Sequence, residues 1–153
     1  MQEISISIGW WYKLITGLRK RGEGKRESGG FLLGKYGKSK VERIVFYDQF
    51  DATVSDSGYI QFKGAVAFFE YLLKEKLVVL ADIHTHPTND TRQSNSDRTH
   101  PMIRTRGHIA IIAPRYAADL FILPKHCSVY EYLGKFDWNT FVDSKKPIKL
   151  KWI

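Results

Sequence analysis

The chain has 153 residues, enough for one domain whose hydrophobic core needs no covalent staple. Its 43% hydrophobic and 26% charged residues exclude an intrinsically disordered chain, and no apolar run approaches the roughly 20 residues of a membrane-spanning helix. A single cysteine, Cys127, excludes a disulfide within the chain and points to a reducing compartment. The first eleven residues lack the basic-then-apolar pattern of a secretory signal, so a cytoplasmic location is expected. The formal net charge is +8, with clusters at Arg19-Lys20-Arg21, at Lys25-Arg26 and across residues 145–151. No aromatic-interleaved RNA-binding motif or zinc-finger spacing accompanies them. A solvated basic surface, or one that steers an acidic partner, is favoured over nucleic-acid binding.

In chain order, Ile4, Ile6 and Ile8 alternate with polar residues and predict a short half-buried strand. Trp11, Leu14, Ile15 and Leu18 recur at helical spacing and predict an amphipathic helix ending in residues 19–22. Residues 22–28 form a loop, and residues 31–36 and 40–50 read as two strands joined by a turn at Gly37-Lys38. A polar, turn-rich segment follows at 51–58, with another strand expected at 59–62. Val66, Phe69, Leu72 and Leu73 give residues 63–76 a helical period. The continuous apolar run at 77–83 fits a central strand buried on both faces. Residues 88–99 are the most polar stretch, with a short helix expected near 96–103. Residues 109–113, 120–123 and 129–133 read as three further strands, and 136–153 as a tail with a short helix and a last strand. The whole predicts an α/β (α+β) fold: residues 1–153 as a single domain, one mixed sheet flanked by helices.

The segment that carries chemistry is Asp82-Ile83-His84-Thr85-His86-Pro87, followed by Ser94-Asn95-Ser96-Asp97. Residues two apart on a strand project to one face, so His84 and His86 reach a common ion from a strand end. Pro87 has no amide hydrogen and ends the ladder, which lets the chain fold back with Asp97. Two imidazoles and one carboxylate leave zinc a fourth position for water, the arrangement of a catalytic site. Water in such a site ionises near neutral pH, at a pKa of about 7. A carboxylate within reach is then needed to move the proton to a leaving amine, and composition alone does not select which one.

The run His84-Thr85-His86, seven residues, Ser94, two residues, Asp97 resembles the metal motif of the JAB/MPN (JAMM) metalloprotease family. Glu27-Ser28-Gly29-Gly30-Phe31-Leu32-Leu33-Gly34 resembles the upstream segment that carries that family's glutamate. The resemblance spans roughly residues 8–132 by the order of its elements. It implies the JAB/MPN (cytidine-deaminase-like) architecture and one catalytic Zn2+ held by His84, His86 and Asp97. Glu27 would be general base and then acid, and Ser94 would help stabilise the oxyanion. It further implies hydrolysis of a peptide or isopeptide bond at the C-terminus of a ubiquitin-like protein, from a precursor or a conjugate, by Glu-assisted attack of zinc-bound water. Conjugation enzymes of the same pathway would be further partners. A non-catalytic JAB/MPN scaffold is the alternative, and an intact motif weighs against it.

Asp82 departs from the family's pattern, which often has a bulky aromatic there, and is expected to accept a hydrogen bond from a ligating imidazole. His100, His108 and His126 read as ordinary surface or core residues, although His100, near Asp97, is placed to join a second, structural ion as in some relatives. Ser94 also reads as a helix N-cap, a role compatible with catalysis. Cys127 is expected to be buried and inert. Gly29-Gly30 serves close strand packing, since no P-loop lysine follows.

Overall fold

A computed structural model describes residues 3–152, so residues 1, 2 and 153 of the expected domain lie outside it. Strand β1 (Ile4–Ser7) buries Ile4 and Ile6, and Ser7 then stops the strand by capping helix α1 (Ile8–Gly22), its Oγ accepting from the Trp10 amide at 3.1 Å. Helix α1 buries Trp11, Leu14, Ile15 and Leu18, the face read from the sequence, and ends at Glu23 in the left-handed region (φ 52°). Ile8, expected in the strand, opens the helix instead because the Ser7 cap precedes it.

The central sheet contains β2 (Gly29–Gly34), β3 (Arg43–Phe46), β4 (Val78–Thr85), β5 (Ile109–Ala113), β6 (Ser128–Gly134) and β7 (Asp137–Thr140). Their order is β3-β2-β4-β5-β6-β7, antiparallel at every pair except β4–β5, which is parallel. A separate two-stranded sheet joins the two ends of the chain, with β1 parallel to β8 (Ile148–Lys151). The fold is therefore a mixed α/β arrangement with two sheets where one was expected.

Each face of the central sheet has its own core. On one face Leu32, Ala81, Ile83, Ile109, Ile111 and Val129 pack with the buried side of α1. On the other, Phe31, Leu33, Val45 and Tyr47 pack with Phe68 and Leu72 of helix α2 (Ala65–Glu75). The Phe31 and Phe68 rings stack at 4.0 Å and 14°. Helix α2 turns Phe68 and Leu72 inward, while Val66, Phe69 and Leu73 of the expected inner face are exposed. Three further expectations are corrected. Residues 47–49 form a 3-10 turn where the second strand was expected to continue; residues 59–62 belong to no strand, and Phe62 packs on Phe31 as a side chain alone. Residues 120–123 also form no strand, because Phe121 takes a positive φ (60°) and Leu120 and Phe121 face solvent. Helix α3 (Asn95–Thr99) is the short helix expected in the polar stretch, starting one residue early and only one turn long.

Candidate metal centre

Cross-strand register decides which side chains meet. Gly29, His84, Ile112 and Ser128 share one row of the sheet, and Phe31, Asp82, Ala110 and Tyr130 the next row of the same face. His84 therefore projects over a glycine. A Cβ at Gly29 would meet the Ile83 carbonyl oxygen at 2.8 Å and the Tyr47 ring, which is why this position in the ladder admits only glycine. The close strand packing expected of Gly29-Gly30 is present, since a Cβ at Gly30 would meet the Val45 carbonyl oxygen at 2.7 Å.

Glu27 sits just before β2, and its backbone is fixed from two sides. Its amide donates to Gly58 O (2.9 Å) and its carbonyl accepts from Ser55 Oγ (2.7 Å). The next residue, Ser28, donates its amide to Thr85 Oγ1 (3.0 Å) and accepts from the Thr85 amide (2.9 Å). Thr85 lies between the two histidines with its side chain on the opposite face, so it ties the glutamate segment to the histidine strand. One ligand atom each from Glu27, His84 and His86 lies within 4.8 Å of the other two.

Asp97 arrives from α3. Ser94 is the N-cap: its Oγ accepts from the Asp97 amide (3.0 Å) and its amide donates to Asp97 Oδ2 (2.8 Å), a reciprocal capping box. The same carboxylate reaches His86 Nε2 at 3.0 Å and His84 Nε2 at 3.2 Å. The structure thus brings Glu27, His84, His86 and Asp97 together, with Ser94 one cap away and exposed.

Two observations test whether these residues fit a cation. His86 Nδ1 lies 2.9 Å from the Asp90 carbonyl, which can only accept, so Nδ1 carries the proton. In the neutral ring Nε2 is then a lone pair facing a carboxylate oxygen, and two acceptors so close need a proton or a metal ion between them. His84 Nε2 is buried and has no hydrogen-bond partner among the described residues, because the Asp97 contact is poorly aligned. Imidazole and carboxylate donors are also those that zinc takes, so the residues fit.

Electrostatics agrees with the geometry. Burial raises the Glu27 carboxyl above its ordinary value, against the opposing pull of His84 and His86 and with a contribution from Asp97. Burial would do the same to Asp97, but the two imidazoles and the Ser94 amide hold it far below the usual carboxylate range. Burial works against a charged His86, yet Asp97 and the Asp90 carbonyl raise its pKa overall.

Asp82 does not bond a ligating imidazole. It accepts from His108 Nε2 at 2.5 Å, and the pair is buried. Asp82 shares the face of His84 but lies a row deeper, where His108 at the start of β5 is in reach. His100 Nδ1 turns back to Ser96 O (3.3 Å) and Thr99 Oγ1 (3.0 Å), and His126 accepts from the Leu123 amide (2.9 Å); neither joins a metal-type cluster among the described residues. Cys127 is buried, and that burial pushes its thiol up to about 12. The sequence reading missed Thr85, Ser55 and the Asp90 carbonyl. Alternation could have found Thr85, since a hydroxyl between two candidate ligands must face away from them; a backbone carbonyl carries no residue signal.

Comparison with known proteins places this fold. A protein from Desulfitobacterium hafniense, known in solution, matches at TM-score 0.68 and 18% identity over 97% of this chain and 92% of that one. A protein from Salinibacter ruber matches at 0.54 and 14% over 91% and 89%. A JAMM structure reported as a metalloprotease-like zinc site in the proteasome and signalosome matches at 0.51 and 15% over 98% and 99%. At these identities the likeness is one of fold. In the sequence, residues 16–120 match the family described as prokaryotic homologs of the JAB domain, Prok-JAB. That span includes Glu27, both histidines, Ser94 and Asp97, and the chain belongs to this family.

Proposed function

We propose that the protein is a zinc-dependent hydrolase of peptide or isopeptide bonds. The observation that carries this reading is the convergence of the Glu27 carboxylate with His84 and His86, with Asp97 on both imidazoles. Three protein ligands leave zinc a fourth position for water, and Glu27 in this reading stands beside that position and not on the metal. His84, His86 and Asp97 would hold the metal, which when bound supplies a Lewis acid and lowers the pKa of water to about 7.

The chain's own groups do the rest. The raised pKa of Glu27 suits a carboxylate that takes a proton near neutral pH and gives it back. Water attacks the carbonyl carbon, its proton passing to a Glu27 oxygen; the C–N bond then breaks as that proton moves to the leaving nitrogen. Ser94 Oγ accepts from the Asp97 amide, a bond that leaves its hydroxyl hydrogen to donate to the developing oxyanion. The backbone bonds of Glu27 to Gly58 and Ser55, and of the adjacent Ser28 to Thr85, keep Glu27 in reach through both transfers.

A ubiquitin-like C-terminus as substrate rests on the family resemblance of the motif, and a cytoplasmic location on the single cysteine. No described helix is long and apolar enough to cross a membrane. The test is a panel of ubiquitin-like C-terminal fusions incubated with native protein, with Glu27→Gln and with a chelator. Cleavage after the terminal glycine that both treatments abolish is the expected result. Cleavage that survives Glu27→Gln overturns the assignment of the base. A zinc-loaded protein that cleaves nothing in the panel overturns the substrate class and favours a binding scaffold.

A further inference from the structure

Residues Arg115, Tyr116 and Ala117 have φ of 54°, 55° and 57°, and none is glycine. The left-handed region presses Cβ of an L-residue against its carbonyl, so three such residues in a row persist only where their surroundings over-determine them. What surrounds them is the metal centre's backbone on one side and α1 on the other. The Tyr116 amide donates to His86 O (2.8 Å) and the Arg115 amide to Thr88 O (3.0 Å). The His86 amide donates to Ala113 O (2.9 Å). Regular β4–β5 pairing ends at Thr85–Ala113, and the left-handed turn aims two further amides at the strand exit, so both peptide groups of His86 are fixed.

From α1, Arg19 Nε donates to Ala117 O (2.8 Å) and its Nη2 to Asp119 O (2.8 Å). These bonds fix carbonyls that the turn leaves outside any ladder. Gly22, one helical turn on, lies beside the turn: a Cβ there would stand in ordinary contact with Tyr116 O, at 3.4 Å. Arg19 belongs to none of the groups at the candidate metal centre, and both its side-chain hydrogen bonds among the described residues go to this segment.

We propose that Arg19 and the left-handed turn Arg115–Ala117 are positioning residues for the ligand His86, holding its backbone so that Nε2 faces Asp97. The inference rests on the metal-site reading above and adds a second structural layer to it. Since it concerns backbone conformation, substitutions at Tyr116 should rank by tolerance of positive φ and not by size.

The experiment titrates the metal-free full-length protein with Co2+ against a chromophoric chelator and records the cobalt d–d spectrum. Arg19→Gln and Tyr116→Val are each expected to weaken Co2+ binding about tenfold and to change the spectrum. Tyr116→Gly should keep native affinity, as should Leu14→Val, which loosens the buried face of α1 without touching the turn. Native affinity and spectrum in both Arg19→Gln and Tyr116→Val overturn the proposal. So does Tyr116→Gly weakening binding as much as Tyr116→Val, which assigns the effect to the phenol, or an equal loss in Leu14→Val, which makes it general destabilisation. If Arg19→Gln does not fold, the two Tyr116 variants decide. Native protein that binds no Co2+ overturns the metal-site reading itself, a result distinct from variants that bind as well as native.

Discussion

The Asp82–His108 pair is the sharpest test of how this core is built. Its side chains are 5% and 3% exposed and meet at 2.5 Å, one row below the His84 row of the sheet. Removing one partner leaves the other buried without compensation, which costs about 3–5 kcal/mol. For a domain of this size with a total stability of about 5–15 kcal/mol, Asp82→Ala should lower the thermal midpoint by roughly 6–20 °C. The assay is urea unfolding of metal-free Asp82→Ala, His108→Ala and the double variant, so that loss of an ion is not confused with loss of the pair. The urea midpoint should fall with an unchanged slope. The double variant should be much less destabilised than the sum of the singles, because its second substitution removes an already orphaned group. Additive losses, or a single-variant loss below about 1 kcal/mol, would show that the pair is not a coupled unit and refute the reasoning.

Glu27→Gln is expected to stabilise the metal-free protein at pH 7 and to leave it unchanged near pH 4, read from paired urea curves. The folded pKa lies above the ordinary 4.5, so the unfolded chain ionises first as pH rises; the penalty is absent below that value and complete above the raised one. Gly29→Ala should destabilise by about 1–3 kcal/mol, because its Cβ meets backbone that cannot yield, and should weaken metal binding through its ladder partner His84. Thermal unfolding together with a Co2+ titration reads both effects. On α2, Phe68→Ala should cost about 3–5 kcal/mol and Leu73→Lys stay within about 0.5 kcal/mol, which chemical denaturation separates clearly.

The last contrast shows where the sequence is mute. Helix α2 reads AVAFFEYLLKE, apolar almost all round, so its period does not choose a face. The choice is made by the Phe31–Phe68 stack, a contact between distant parts of the chain. Helix α1, with one clean apolar stripe, and strands β4, β5 and β6, with long apolar or alternating runs, were legible for the opposite reason. The run Leu120-Phe121-Ile122-Leu123 looks like a strand, yet Ile122 O accepts from Trp11 Nε1 (2.7 Å) and is held by a helix, not a ladder. The β1–β8 pairing joins the two ends of the chain and leaves no local trace. At the candidate metal centre, His84, His86 and Asp97 could be read from residue type and spacing, whereas Glu27 and Ser94 came only from the family resemblance. The backbone groups that hold them could not be read, and Asp82 found a partner that no spacing pairs with it.

Asp97 shows how the centre is built from weak parts. A one-turn helix such as α3 has too few hydrogen bonds to form alone. It is held by the Ser94–Asp97 capping box at its start and by Trp138 Nε1, which donates to Arg98 O (3.0 Å) near its end. The loop before it is tied to β6, where Tyr130 Oη donates to Thr91 O (2.8 Å) and Thr91 meets Ser128 Oγ (2.5 Å). Ser128 and His84 share a row of the sheet, so the segment that delivers the carboxylate is anchored to the row that presents the imidazole. His84 is fixed by the ladder, His86 just past its end by backbone bonds to Ala113 and Tyr116, and Asp97 by side chains rooted in the same ladder. Much of the ordering entropy of a site assembled across a long polar loop is thereby met by the fold before any ion binds. This division explains why the loop can be the most polar stretch of the chain and still place Asp97 3.0 Å from His86.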